Sequence, residues 1–292
     1  MSALAVTVER LRGLLPQYPD SYAPRIGVPA EPGWSFLADA QPQVPAWCAR
    51  AQEEGNPARL ASVAATTVGG SLVHAVLGRV TAALVLDQRA WHVRAGHLAV
   101  HHATGRVALR DASLLVLPGD PAAVLPHAEV VPDLPALLHR VAADAVATLG
   151  PLLDAVRSAT RYGLVPLWNS ATDAIRGAAH YVPLYAGTDR ERAHELGSAL
   201  VAALGHALAA RGVRLRDRGA HELVQRGVET YRVPVRAACC LYYKTEPQVE
   251  RPSDAYCMSC PFLCSPDRRE RFATFVDGLA AEREAELTAA AR

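Results

Sequence analysis

Apolar residues recur at helical spacing from residue 3 to residue 14, which predicts a short amphipathic helix. Pro16, Pro19, Pro24, Pro29 and Pro32 then deny regular structure to a segment that runs to about residue 43. The longest apolar stretch, Leu60 to Leu86, falls in a helix that Asn56-Pro57 would open as N-cap and first residue, with Gly69-Gly70 as the point where it bends or breaks. Four short β-type runs follow, Ala90 to Val93, His97 to His102, Arg106 to Asp111 and Ser113 to Leu117, and together predict one small antiparallel sheet. Helical spacing returns from about Ala136 to Ala159. Two capping-box patterns, Ser170-Ala-Thr-Asp173 and Thr188-Asp-Arg-Glu191, predict helices that start there and end near His180 and Arg211. Thr230 to Ala237 reads as a strand, and Ser265-Pro266-Asp267 as the start of a closing helix to about Ala289. The pattern as a whole is α+β and mainly helical. It divides into a larger helical part with a small antiparallel sheet, residues 1–225, and a C-terminal cysteine-rich part, residues 226–292.

Composition narrows the function classes. Half of the 292 residues are hydrophobic and 20% are charged, which is the composition of a chain that folds around a core. The net charge of +1 gives no global field for nucleic acid or an anionic membrane, and there is no basic stripe. His74, Arg79 and several small polar residues interrupt the Leu60 to Leu86 stretch, which therefore reads as a buried helix and not as an integral membrane segment. Glu9, Arg10 and Arg12 likewise break up the N-terminus as a secretory signal. The expectation is a cytoplasmic protein, in which thiols stay reduced. No G-x-G-x-x-G and no G-x-x-x-x-G-K-[ST] is present to hold a nicotinamide cofactor or a nucleoside triphosphate.

Five of the six cysteines lie between Cys239 and Cys264, in Arg236-Ala-Ala-Cys-Cys-Leu-Tyr-Tyr-Lys244 and Cys257-Met-Ser-Cys260-Pro-Phe-Leu-Cys264. A [2Fe–2S] cluster takes four thiolates, and C-x-x-C lets one turn deliver two of them. Cys239-Cys240 would supply the other pair, provided the chain leaves extended geometry there, since neighbouring side chains on a strand point to opposite faces. Three other readings compete. A structural zinc ion also takes four thiolates, usually from two spaced pairs; disulfides require an oxidising compartment and leave one of five cysteines over; and buried cysteines can be plain core residues, as Cys48 beside Trp47 reads.

The adjacent pair, the loop and the closing Cys257-x-x-Cys260-Pro resemble the C-terminal region of the FhuF-like ferric-siderophore reductases, and Arg236-Ala-Ala-Cys-Cys-Leu-Tyr-Tyr is similar to their actinobacterial members in particular. A weaker similarity lies in Pro166-Leu-Trp-Asn-Ser-Ala171. The resemblance implies a [2Fe–2S] cluster on Cys239, Cys240, Cys257 and Cys260, and an oxidoreductase that passes one electron to a ferric siderophore and releases ferrous iron for uptake. It also implies an external electron donor, such as a ferredoxin or a flavin- or NADPH-linked reductase, and places siderophore binding in residues 1–225. Sixteen residues separate Cys240 from Cys257, more than is usual in that family, and Cys264 is an additional thiol that would be able to replace Cys260 as a ligand. The longer loop costs little closure entropy. The alternative function is an iron–sulfur electron carrier, or a zinc or iron–sulfur sensor, without reductase turnover.

Elsewhere the conspicuous residues have plainer readings. Trp168-Asn169 reads as a core aromatic beside a helix cap, and His97, His101 and His102 as solvated or core-satisfied residues. Arg232, Arg236, Lys244, Arg251, Arg268 and Arg269 alternate with acidic residues around the cysteines, as a mixed surface or a partial positive rim.

Overall fold

The structure is a computed structural model and describes residues 2–15, 20–56, 58–215, 221–245 and 252–290. The helices are α1 (Ala3–Leu14), α2 (Leu37–Ala40), α3 (Val44–Glu53), α4 (Ala61–Val73), α5 (Arg79–Asp87), α6 (Leu134–Thr160), α7 (Leu164–Ala186), α8 (Arg190–Ala209) and α9 (Ser265–Ala290). The strands are β1 (Arg25–Ile26), β2 (Trp34–Phe36), β3 (Ala90–Trp91), β4 (Leu98–His101), β5 (Val107–Leu109), β6 (Leu114–Val116), β7 (Ala128–Val130), β8 (His221–Arg226) and β9 (Glu229–Pro234). The mainly helical α+β class is as the sequence predicts.

Several local expectations are corrected. The helix after residue 56 starts at Ala61, because the Asn56 side chain bonds the backbone N–H and carbonyl of Leu60 at 3.1 and 2.9 Å and so closes a loop ahead of it. Pro57 lies outside the described residues. The helix passes Gly69-Gly70 intact, and the irregularity comes later, in a π turn over His74–Gly78 that joins α4 to α5. Gly69 serves close packing: a Cβ there would lie 2.7 Å from Leu167 on α7. Ser170 and Asp173 sit inside α7 and cap nothing, whereas Asp189 does cap α8, accepting from the N–H groups of Glu191 and Arg192 at 2.9 and 3.1 Å.

The four expected strands do not form one sheet. β4 and β5 join β1 and β2 in the order β1-β5-β4-β2, with β1 parallel to β5, and β3 and β6 join β7 in the order β3-β6-β7, with β6 parallel to β7. Both mixed sheets pack with α1 and α4 to α8 around one large apolar core that contains Trp91, Trp168, Leu77, Leu84 and Leu149. Among the described residues, two helical stretches, Ala61–Asp87 and Leu134–Thr160, are long and apolar enough to cross a membrane by length and composition. Within the fold, 78% and 61% of their most apolar windows are buried.

A second, smaller core holds Val224, Tyr231, Val233 and Phe272, and Leu184 near the end of α7. It is built by the β8–β9 hairpin and α9, with Gly227 at φ +58° turning the hairpin ahead of Val228. A boundary between residues 225 and 226 falls inside β8, and the whole hairpin sides with the C-terminal core.

His74 in the π turn donates from Nε2 to the Ser21 carbonyl at 3.2 Å. Burial first, and the Arg79 charge second, lower its pKa from 6.5 to about 4, outweighing the carbonyl. The unfolded chain therefore takes up a proton on His74 that the folded chain refuses, and stability falls as pH drops from about 6.5 to about 4. Thermal unfolding across this range should show a shallower acid slope for His74→Gln than for the native chain.

Candidate functional site

The cysteine segments are held in place by backbone and buried charge. Beyond β9 the chain crosses α7, where Asp173, with a side chain only 4% exposed, accepts from the N–H groups of Ala237 and Ala238 at 2.6 and 3.1 Å. Its Oδ2 lies 3.5 Å from Nε of Arg236. The Arg236 N–H donates to the Ser259 carbonyl at 2.9 Å, which ties the first cysteine segment to the second. On the other side the Thr66 hydroxyl, from α4, donates to the Cys240 carbonyl at 2.9 Å. The loop between Pro234 and Tyr242 is thus pinned to two helices of the large core.

Leu241 adopts a left-handed backbone with φ +58°, an unfavourable conformation for a branched side chain. It breaks extended geometry directly after the cysteine pair and points the Leu241 N–H at Cys239 Sγ, 3.3 Å away. The departure from β geometry that ligation by adjacent cysteines requires is therefore present. In the second segment, Cys260 N–H donates to the Cys257 carbonyl at 2.8 Å, closing the C-x-x-C turn. The Arg268 guanidinium, 4% exposed, donates to the carbonyls of Cys260 and Leu263 at 2.8 and 2.6 Å and pairs with Glu222 of β8. Glu222 also accepts from Ser265 at 2.9 Å, so hairpin, turn and α9 share one polar junction.

Cys240 makes hydrogen-bonding contact with both Cys239 and Cys257, and Cys260 lies near enough to Cys239 to affect its ionisation. Cys264 is exposed at the start of α9 and enters none of these interactions. The thiol protons are shared unequally. Donation from Cys239 and Cys257, followed in smaller measure by the Tyr242 N–H and the Arg236 charge, drives the Cys240 pKa down; the same contacts push Cys239 and Cys257 up. Burial opposes the charge of Arg236, but Asp173, Cys240 and Cys257 outweigh it and raise its pKa. For Asp173, burial prevails over Arg236 and the two N–H donors, and the carboxyl stands above its ordinary range. Among the described residues, no three His, Cys, Asp or Glu side chains are arranged to hold a metal ion as they stand. The donor chemistry nevertheless fits a thiolate-bound group: three sulfurs in contact, a fourth adjacent, and amide N–H donors directed at Cys239 and Cys240.

Beside the cysteines is a cleft of about 470 Å³ between α4, α7 and the 234–240 loop. Thr66, His74, Asp173, Tyr181, Arg236 and Cys240 are part of its wall. Sequence reading passes over Asp173 as a cap, takes Arg268 for a rim residue and assigns nothing to Glu222; each acts on residues distant in sequence, so no local pattern marks it. Trp168 and Asn169 are buried within α7. His101 meets Trp34 edge-on and stacks on His102, on the β4 side of the large core. Arg251 lies outside the described residues.

Comparison of the chain with family models, with curated proteins and with solved structures finds no match.

Asp173→Asn should leave the helical circular dichroism unchanged but loosen the cysteine loop, since an amide offers one acceptor oxygen and leaves Arg236 without its counter-charge. The loss should be about 1–3 kcal/mol in chemical unfolding, with faster proteolysis between Pro234 and Ser265.

Proposed function

We propose that the protein is a [2Fe–2S] ferric-siderophore reductase of the FhuF-like kind, working in the cytoplasm with Cys239, Cys240, Cys257 and Cys260 as the cluster ligands. The observation that carries this reading is the juxtaposition of Cys240 with an open cleft: one residue belongs both to the thiol group and to the wall of a space large enough for part of a ferric chelate. A bound [2Fe–2S] group would supply one electron at a time.

The residues of the chain have simpler tasks. Thr66 and Asp173 fix the backbone on either side of the cysteine pair. Arg236 brings a positive charge to the cysteines and to the cleft, favouring both an anionic thiolate group and an anionic chelate. His74, held neutral, adds no charge to the cleft. Siderophores present hard oxygen donors that suit Fe³⁺, and the larger, less charged Fe²⁺ gains less from them, so reduction releases the metal. No acid, base or nucleophile is required. Electrons would come from an external donor, because the sequence carries no nicotinamide fingerprint. An electron carrier without turnover would not need the cleft.

Anaerobically reduced protein, mixed with ferric siderophores and a ferrous trap, should be reoxidised and deliver about one Fe²⁺ per cluster, hydroxamates reacting before tricatecholates. Cys257→Ser serves as the control for leftover chemical reductant. Should the cluster stay reduced beside every ferric chelate yet pass its electron to a ferredoxin-type acceptor, the carrier reading replaces this one.

The ligand assignment has its own test. Single Ser substitutions at Cys239, Cys240, Cys257 or Cys260 should abolish bound iron and visible absorption, and Cys264→Ser should retain both. Loss with Cys264→Ser and retention with Cys260→Ser would move the fourth ligand.

A further inference from the structure

A second hollow, of about 530 Å³, lies between α3, α4 and the turn that joins β4 to β5. It adjoins the cleft beside Cys240, because Thr67 and Ser71 line both spaces. These two residues stand one turn apart on the exposed face of α4 and form a low ridge of small side chains that a ligand can lie across. Beyond the ridge the floor is apolar, made by the buried side chains of Val68, Leu72 and Val100.

The walls are aromatic. Trp47 of α3, half-buried and packed on the large core, supplies one ring, and His101 and His102 supply two more. The imidazoles are fixed in place: His102 Nδ1 donates to the Gly33 carbonyl at 2.9 Å, the two rings stack at an interplanar angle of 6°, and His101 meets the Trp34 ring edge-on with centroids 5.4 Å apart. Apart from the imidazoles, the charged side chains in the wall are Arg50 and Glu54, one turn apart at the end of α3, and their charges offset one another. The cleft on the other side of the ridge differs, since Arg236 gives it a positive side chain. Of the two adjoining spaces, one suits a charged group and the other an uncharged ring.

We infer that the ferric chelate bound by this protein carries an aryl-bearing arm, which crosses the ridge of Thr67 and Ser71 and lies in the second hollow against Trp47 and His101. The inference rests on the reductase reading of the cleft, which takes only part of a chelate. The hollow has the volume of a site for a small organic group and touches the cleft directly. An alkyl arm would cover the same floor but leave the ring faces bare, whereas an aryl group meets both. Held by its arm, the chelate keeps its metal on the Cys240 side of the ridge.

Gallium(III) has the charge and nearly the size of Fe³⁺ but is not reduced under these conditions, so gallium chelates report binding apart from electron transfer. Calorimetric titration of the full chain as isolated, with a gallium trihydroxamate and with the same ligand bearing a phenyl cap, should give about tenfold tighter binding of the capped chelate. Trp47→Ala and Ser71→Leu should each bring the ratio of the two affinities down to about one, and Trp47→Phe should keep most of it. Ser71→Leu raises the ridge at an exposed position, so it decides the matter even if loss of Trp47 from the core disturbs folding. Equal affinity for the two chelates, a ratio that Ser71→Leu leaves unchanged, or no binding of either chelate would overturn the inference. The first two outcomes leave the reductase reading standing, because that reading is decided by reoxidation with ferric chelates. A cluster that stays reduced beside ferric chelates while the ratio holds removes the reductase reading and keeps the two-part chelate site.

Discussion

The buried carboxylate of Asp173 is the contact on which the arrangement of the cysteines depends. A carboxylate taken out of water is costly unless its oxygens are all used and a cation stands near. Asp173 meets both conditions only by drawing the 236–238 backbone and Arg236 onto α7. The loop in turn gives the N–H groups of Ala237 and Ala238 to this carboxylate, so helix and loop satisfy one another. Cys239 follows one residue after this contact, and its position is inherited from α7 more than from the strand that leads to it.

Arg268 plays the corresponding part on the opposite side. It collects the carbonyls of the C-x-x-C turn and the carboxylate of Glu222, and so binds α9 to the hairpin. The two cysteine segments therefore approach from two cores, one on Asp173 and one on Arg268, and meet through the bond from Arg236 to Ser259. The cleft beside Cys240 is a consequence of this meeting, since the loop lies across α4 and α7 without filling the space between them.

Much of this was legible in the sequence, and the reasons for the remainder are physical. α1 and α6 show helical spacing of apolar residues and α9 a clear start at Ser265-Pro266-Asp267, and all three lie within a residue or two of the expected limits. The sheets were not readable, because β1 and β7 come from proline-rich segments and pair in parallel, β1 with the distant β5 and β7 with the preceding β6, so that no hairpin turn marks either pairing. The Ser170 to Asp173 pattern matches a capping box letter for letter, but the apolar face of α7 already extends back to Leu167, so the helix runs through it. Cysteine spacing marked the candidate site by chemistry alone. The residues that support it stayed hidden because Asp173 and Ala237 are 64 positions apart, and Glu222 and Arg268 are 46.

The bond from Thr66 to the Cys240 carbonyl joins residues 174 positions apart. Contacts of such separation are paid for in loop-closure entropy and are made late in folding, once intervening elements have shortened the effective loop. During synthesis, then, α4 and α7 must be packed before the cysteine pair has a place to rest. Any metal group would be installed at the end of maturation, onto a finished helical platform, and the thiols of the nascent chain would have to be kept from oxidation until that moment.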